Sequence, residues 1–218
     1  MIPVVFDPDG TLIDSLPNVA DAANALLAAE GQAPLTNDVV AGFVGMGERV
    51  FLDRLIAATE LRAADFDRLM PQFIRHYKIA AEDTRLFPGA MEMLNRFRAE
   101  GVPLALCTNK PAAPLWPTLK AAEIDAVFDV VLAGDMLAKR KPDPLPVHHI
   151  LAELSAETCL YVGDSETDAE TALRAGVPFA LYTEGIRIAP IEDIPHDVAF
   201  SDLLALPEIY ARFKDVGS

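Results

Sequence analysis

Six short apolar runs recur along the chain, and most of them end in polar residues. Val4-Val5-Phe6 runs into Asp7, and the run from Val102 to Cys107 ends at Thr108-Asn109-Lys110. Val130-Val131-Leu132 precedes Gly134-Asp135, and Leu160-Tyr161-Val162 runs into Gly163-Asp164. Phe179 to Tyr182 is a fifth run and Val198-Ala199-Phe200 a sixth. Runs that are apolar at every position suit strands covered on both faces, as in a parallel sheet between helices. Helical patterns lie between them. Pro88 to Glu100 opens on a proline suited to a first helical position and closes before Gly101, and Ala169 to Ala175 closes at Gly176 in the same way. This alternation predicts a doubly wound α/β core.

Residues 15 to 86 break the alternation. Only helical patterns occur there: Val19 to Glu30, Asn37 to Phe43, Glu48 to Thr59 and Asp65 to Ala80. Leu52, Leu55, Ile56 and Thr59 share one face at helical spacing. The simplest organisation is a core made of residues 1–14 and 87–218, with residues 15–86 inserted as a small helical domain after the first strand.

Composition narrows the class of partner. Of 218 residues 51% are hydrophobic, enough to fold around a sizeable core. Acidic residues outnumber basic ones 33 to 18, for a formal charge of −15. Phosphate backbones and anionic lipid are bound through clustered Lys and Arg, so neither nucleic acid nor a membrane surface is an expected partner. No run reaches the ~18 to 20 apolar residues that span a bilayer. Two cysteines, Cys107 and Cys159, form neither a disulfide framework nor a zinc site, and a cytoplasmic location is expected.

Candidate chemistry gathers at the ends of the runs. In an open parallel sheet, ligands bind beyond the carboxyl ends of the strands. That rule brings together Asp7 and Asp9, Thr108 and Asn109, and Asp164 with Asp168, with Lys141 in a Lys-Pro-Asp-Pro loop nearby. Four carboxylates crowded into one cleft need a cation to offset their repulsion. Oxygen ligands of this kind suit Mg²⁺, while the lysine and threonine suit a phosphate. A carboxylate can also act as a nucleophile through an aspartyl phosphate.

The motifs carry a resemblance. Phe6-Asp7-Pro8-Asp9-Gly10-Thr11 is similar to the hhhDxDGT motif of the haloacid dehalogenase superfamily. Leu106-Cys107-Thr108-Asn109-Lys110, Lys141-Pro142-Asp143-Pro144 and Val162-Gly163-Asp164-Ser165-Glu166-Thr167-Asp168 resemble its second, third and fourth motifs in order. The resemblance implies an α/β fold with a Rossmann-like parallel-sheet core and an inserted helical cap. It implies Asp7 as nucleophile and metal ligand, and Asp9 as general acid/base with its backbone carbonyl on the metal. Thr108 and Lys141 would hold the phosphoryl group, Asp164 would ligate Mg²⁺, and Asp168 would lie in its outer sphere or bind through water. A phosphatase needs the second aspartate to protonate an alkoxide leaving group, whereas a dehalogenase does not.

Gly42-Phe43-Val44-Gly45-Met46-Gly47-Glu48-Arg49 resembles the glycine-bearing loop of phosphoglycolate phosphatases within that superfamily, and Asn109-Lys110-Pro111 is similar to the same subgroup. Asn109, Gly47 and Arg49 are therefore candidate substrate contacts, Arg49 for a carboxylate. The expected activity is Mg²⁺-dependent hydrolysis of a small phosphomonoester, phosphoglycolate first, by a monomer or homodimer. A sugar-phosphate mutase, a nucleotide or sugar phosphatase and a catalytically silent binding protein are the alternatives. One departure stands out: Pro8 replaces the usual Leu, Phe, Met or Val between the two aspartates, and it supplies no N–H to a phosphate cradle.

Overall fold

A computed structural model describes residues 1–214. Six strands form one sheet: β1 (Val4–Phe6), β2 (Leu104–Cys107), β3 (Val130–Leu132), β4 (Leu160–Gly163), β5 (Phe179–Tyr182) and β6 (Val198–Phe200). Their order is β3-β2-β1-β4-β5-β6 and every pairing is parallel. All six apolar runs of the sequence are strands. β1 is therefore central, and the chain passes from it to opposite sides of the sheet, the arrangement that opens a crevice at the strand ends.

The side chains of each strand divide between two cores with a period of two. Val4, Phe6, Leu104, Leu106, Leu160 and Val162 join one buried cluster. Val5, Ala105, Cys107, Tyr161, Phe179 and Leu181 join the other, on the opposite face. This two-sided burial explains why the central strands lack a polar alternation.

Nine helices accompany the sheet among the described residues. Four lie between β1 and β2 before the return to the core: α1 (Leu16–Ala29), α2 (Asn37–Ala41), α3 (Glu48–Ala57) and α4 (Phe66–Ala80). The rest are α5 (Ala90–Ala99), α6 (Ala112–Ala121), α7 (Leu145–Glu153), α8 (Glu166–Ala175) and α9 (Leu206–Tyr210). Helices α1 to α4 bury a cluster of their own, drawn wholly from residues between 19 and 77. Phe51 and Phe73 stack at its centre with ring centroids 4.8 Å apart. The chain leaves and re-enters the sheet side by side. Ile13 pairs antiparallel with Leu86, the Asp14 N–H bonds Arg85 O at 3.0 Å, and the Phe87 N–H bonds Leu12 O at 2.9 Å.

Three helix starts differ from the sequence expectation by more than one residue, and α1 is the first: it begins at Leu16, three residues before Val19, with Pro17 in its first turn. Pro88 does not open α5; Gly89 follows it at φ +82°, and the helix begins at Ala90. Left-handed backbone cannot be the first turn of a right-handed helix, so Pro88-Gly89 is a turn instead. Helix α8 begins at Glu166, three residues earlier than the apolar pattern suggests. A capping box fixes that start: the Ser165 hydroxyl accepts from the Asp168 N–H, and the Asp168 carboxylate accepts from the Ser165 N–H.

Candidate active site

The crevice at the carboxyl ends of β1, β2 and β4 holds the polar residues that close those strands. Asp7 follows β1 directly, and its N–H bonds Val162 O at 2.9 Å, which ties the aspartate to β4. The turn after it is closed by Pro8, whose carbonyl accepts the N–H groups of Leu12 and Ile13 at 3.0 and 2.9 Å. Gly10 then reverses the chain at φ +83°, and a Cβ there would overlap the Asp164 carboxylate. Gly10→Ala is accordingly expected to cost at least the ~1–2 kcal/mol of left-handed strain and to displace Asp164. Thermal melts and turnover measured together should both fall; a variant with wild-type values for both would show that the turn adapts freely.

Lys141 sits at the centre of the ion pairing, with its side chain only 2% exposed. Its ammonium lies 3.0 Å from Asp7 Oδ2 and 2.8 Å from Asp168 Oδ1. Burial opposes that charge, but Asp168 and Asp7 outweigh it and push the lysine above its usual range. Asp168 is fully buried and fully bonded. Its Oδ1 also accepts from the Tyr161 hydroxyl at 3.3 Å, and its Oδ2 accepts from the Ser165 hydroxyl at 2.6 Å and the Ser165 N–H at 3.2 Å. A carboxylate has about four lone-pair sites, so a metal bound directly to Asp168 would displace one of these partners. The geometry fits a carboxylate that positions Lys141.

Asp164 accepts from the Thr11 hydroxyl at 2.9 Å and from the Ile186 N–H at 2.5 Å. Burial pushes its carboxyl well above the ordinary range, and Asp168 and Asp7 add to the effect. Asp7 is pushed up to about 8, chiefly by burial, against the opposing pull of Lys141. Its Oδ1 is buried without a hydrogen-bond partner among the described residues. Carboxylate oxygens of Asp7, Asp164 and Asp168 all fall within 4.8 Å of one another. Among the described residues, the ion pairs of Asp7, Asp9, Asp164 and Asp168 are made by Lys110 and Lys141 alone, so an all-oxygen cluster of four carboxyl groups against two ammonium groups, with one orphaned oxygen, is suited to a divalent cation.

A small cavity of about 70 Å³ opens above this cluster. Asp7, Asp9, Thr108, Asn109, Lys110 and Asp164 line it from the core; Val19, Val44, Gly45, Gly47, Glu48, Phe51, Phe73 and Tyr77 line it from the helical segment. Thr108 is buried, and its hydroxyl accepts the Lys110 N–H at 3.1 Å, so it shapes this turn rather than capping α6, which begins after Pro111. The Asn109 amide donates to Gly45 O and to Lys141 O, each at 3.0 Å, and thereby joins the helical segment to the core. Gly47 lines the cavity at φ +83°, where a Cβ would overlap the Arg140 guanidinium.

Arg49 does not meet its expectation. It is exposed, its guanidinium stacks 4.8 Å from the Phe66 ring centre, and it does not line the cavity. Helix α3 starts at Glu48, so Gly47 and Glu48 turn toward the crevice while the next residue follows the helix around to its outer side. Several residues escaped the sequence reading: Lys110 on Asp9, Tyr77 over Lys110, Thr11 on Asp164, and Tyr161 and Ser165 on Asp168. Thr11, Lys110 and Ser165 stood inside the quoted motifs; Tyr77 and Tyr161 belong to apolar stretches that read only as core.

Known proteins give an independent view. A family model for haloacid dehalogenase-like hydrolases matches residues 4–176. A phosphoglycolate phosphatase of Cereibacter sphaeroides (strain ATCC 17029) is 44% identical over 213 residues, covering 96% of this chain and 97% of the relative. One of Rhodospirillum rubrum is 39% identical, covering 93% and 88%. The crystal structure of a predicted phosphoglycolate phosphatase from Haemophilus somnus superposes with a TM-score of 0.90 at 30% identity, covering 96% of this chain and 98% of that one. The parallel sheet, the carboxylate cluster at its edge and these similarities lead to one assignment: the chain belongs to the haloacid dehalogenase-like hydrolases.

Proposed function

We propose that the protein is a Mg²⁺-dependent phosphatase acting on a small phosphomonoester, with 2-phosphoglycolate as its substrate. The observation that carries this reading is the Asp7–Lys141–Asp168 array beside Asp9 and Asp164, opening into a cavity with room for only a small molecule. Relatives named phosphoglycolate phosphatase at 39 to 44% identity over most of their length support the choice of substrate. We assign residues 1–14 and 87–218 to the catalytic core and 15–86 to a helical cap.

Asp7 and Asp164 would hold the ion, with the Asp9 carbonyl, and Asp168 would act through Lys141. Mg²⁺ fits an all-oxygen set that leaves room for waters and a phosphate oxygen, and it supplies charge stabilisation to the phosphoryl group. Asp7 attacks phosphorus as the bond to the ester oxygen breaks, and Asp9 gives its proton to the departing alkoxide. Asp9 then takes a proton from water as the water oxygen attacks the aspartyl phosphate; the bond between Asp7 and phosphorus breaks, and phosphate leaves. Lys141 and Thr108 hold the phosphoryl oxygens, and the apolar side chains from the cap keep bulk water away.

Phosphate release measured across small phosphomonoesters checks this directly. Turnover should be fastest with 2-phosphoglycolate, fall to background in excess EDTA and return with Mg²⁺. Full activity in EDTA would rule out the metal site. Transfer of the phosphoryl group to a sugar phosphate without free phosphate would instead make the protein a mutase.

A further inference from the structure

Lys110 is the cation that the phosphoryl chemistry leaves unused. Its side chain is 4% exposed, and its ammonium lies 2.9 Å from Asp9 Oδ1 and 4.5 Å from the centre of the Tyr77 ring. Among the described residues, it is the only lysine or arginine that lines the cavity. Its backbone is fixed as well: the N–H bonds Thr108 Oγ1 and the carbonyl accepts the Gly134 N–H at 2.9 Å. An ammonium carries three donors, and among the described residues the one carboxylate it bonds is Asp9.

We propose that Lys110 is the specificity-determining residue of this site, selecting a substrate with a carboxylate one methylene from its phosphoester oxygen; this rests on the phosphatase reading given above. The geometry follows from Asp9. A general acid must stand within ~3 Å of the ester oxygen it protonates. Lys110 lies 2.9 Å from Asp9 Oδ1 and lines the same cavity, so a carboxylate one carbon beyond an ester oxygen held by Asp9 falls within its reach. Val19, Val44, Phe51 and Phe73 form the apolar part of the wall, and the Glu48 carboxylate that also lines it is paired with Arg140 at 3.7 Å. An anion entering there without a partner is penalised, and one that meets the ammonium is held strongly. Arg49, on the outer side of α3, does not compete for this role.

The test compares two substrates that differ only in this group: 2-phosphoglycolate and 2-hydroxyethyl phosphate. Wild-type protein should favour the carboxylate in kcat/KM. In Lys110→Met, the ratio of the two kcat/KM values should fall on the order of 10²-fold, the scale of a lost charged hydrogen bond. Lys110→Gln, which keeps a donor for Asp9, should lose the ratio equally and decides the matter if the methionine variant does not fold. Lys110→Arg should retain much of it. Equal losses for both substrates would mean that Lys110 only positions Asp9, and absence of discrimination in the wild type would equally overturn the proposal. If the wild type hydrolyses neither compound, the phosphatase reading fails separately. Calorimetric titration with glycolate then decides: binding that disappears in Lys110→Gln upholds carboxylate selection, and no binding, or binding unchanged by the variant, overturns it.

Discussion

Asp7→Asn is expected to abolish phosphate release, with a loss on the order of 10⁶-fold, the scale seen when a covalent nucleophile is removed. The same variant should change the pH dependence of stability in the metal-free protein. A carboxyl pushed up to about 8 from 3.8 keeps its proton in the folded chain while the unfolded chain has lost it. Between those two values the folded state binds more protons, so stability falls as pH rises through that window. Asparagine removes this contribution. Urea melts in EDTA at pH 5 and pH 8 should therefore differ less for the variant than for the wild type. Retained turnover, with mass spectrometry showing no reversion to aspartate, would eliminate Asp7 as nucleophile.

Lys141→Met should damage both folding and chemistry. The ammonium is the shared counter-ion of Asp7 and Asp168, and both would remain in a buried site without it. Breaking a buried pair by removing one partner costs ~3–5 kcal/mol, which at this chain length lowers Tm by roughly 10 °C. Adding Asp168→Asn should recover part of that loss, because the neutral amide no longer needs a counter-charge. It should not recover activity, since Asp7 still lacks the group that orients it. A double variant no more stable than the single one would show that the cost comes from lost packing. An active Lys141→Met would show that the phosphoryl group is held elsewhere.

Much of this architecture is legible in the sequence because its central strands are buried on both faces. Val4-Val5-Phe6 and Leu160-Tyr161-Val162 leave no amphipathic alternative, and the rule that ligands bind at strand ends then brings distant motifs together. What the sequence conceals depends on direction. Nothing in the order Gly47-Glu48-Arg49 reveals that the third residue turns outward, because that depends on where α3 begins. Nothing in Ser165-Glu166-Thr167-Asp168 separates a metal ligand from a cap, and Asp168 closes the capping box while also holding Lys141. Lys110 reads as one more charge after a strand until the fold sets Asp9 and Tyr77 against it. These relations connect residues far apart in the chain, and local pattern carries no record of them.

The side-by-side stretches through which residues 15–86 leave and rejoin the core have a consequence for how such proteins diversify. Because Ile13 pairs with Leu86, the two ends of the intervening segment are already in contact. To the sheet, that whole segment is a closed loop. Closing a flexible loop becomes costlier only slowly with length, by about 0.6 kcal/mol for each doubling. Segments of quite different length can therefore occupy this position without disturbing β1 or the aspartates that follow it. Replacing the segment between Asp14 and Phe87 exchanges the wall contributed by Val19, Phe51 and Phe73, while Asp7, Lys141, Asp164 and Asp168 stay on the sheet, loop and helix of the core. The apolar part of the cavity wall can thus vary on one stretch of the chain while the charged groups of the crevice, Lys110 among them, stay on another.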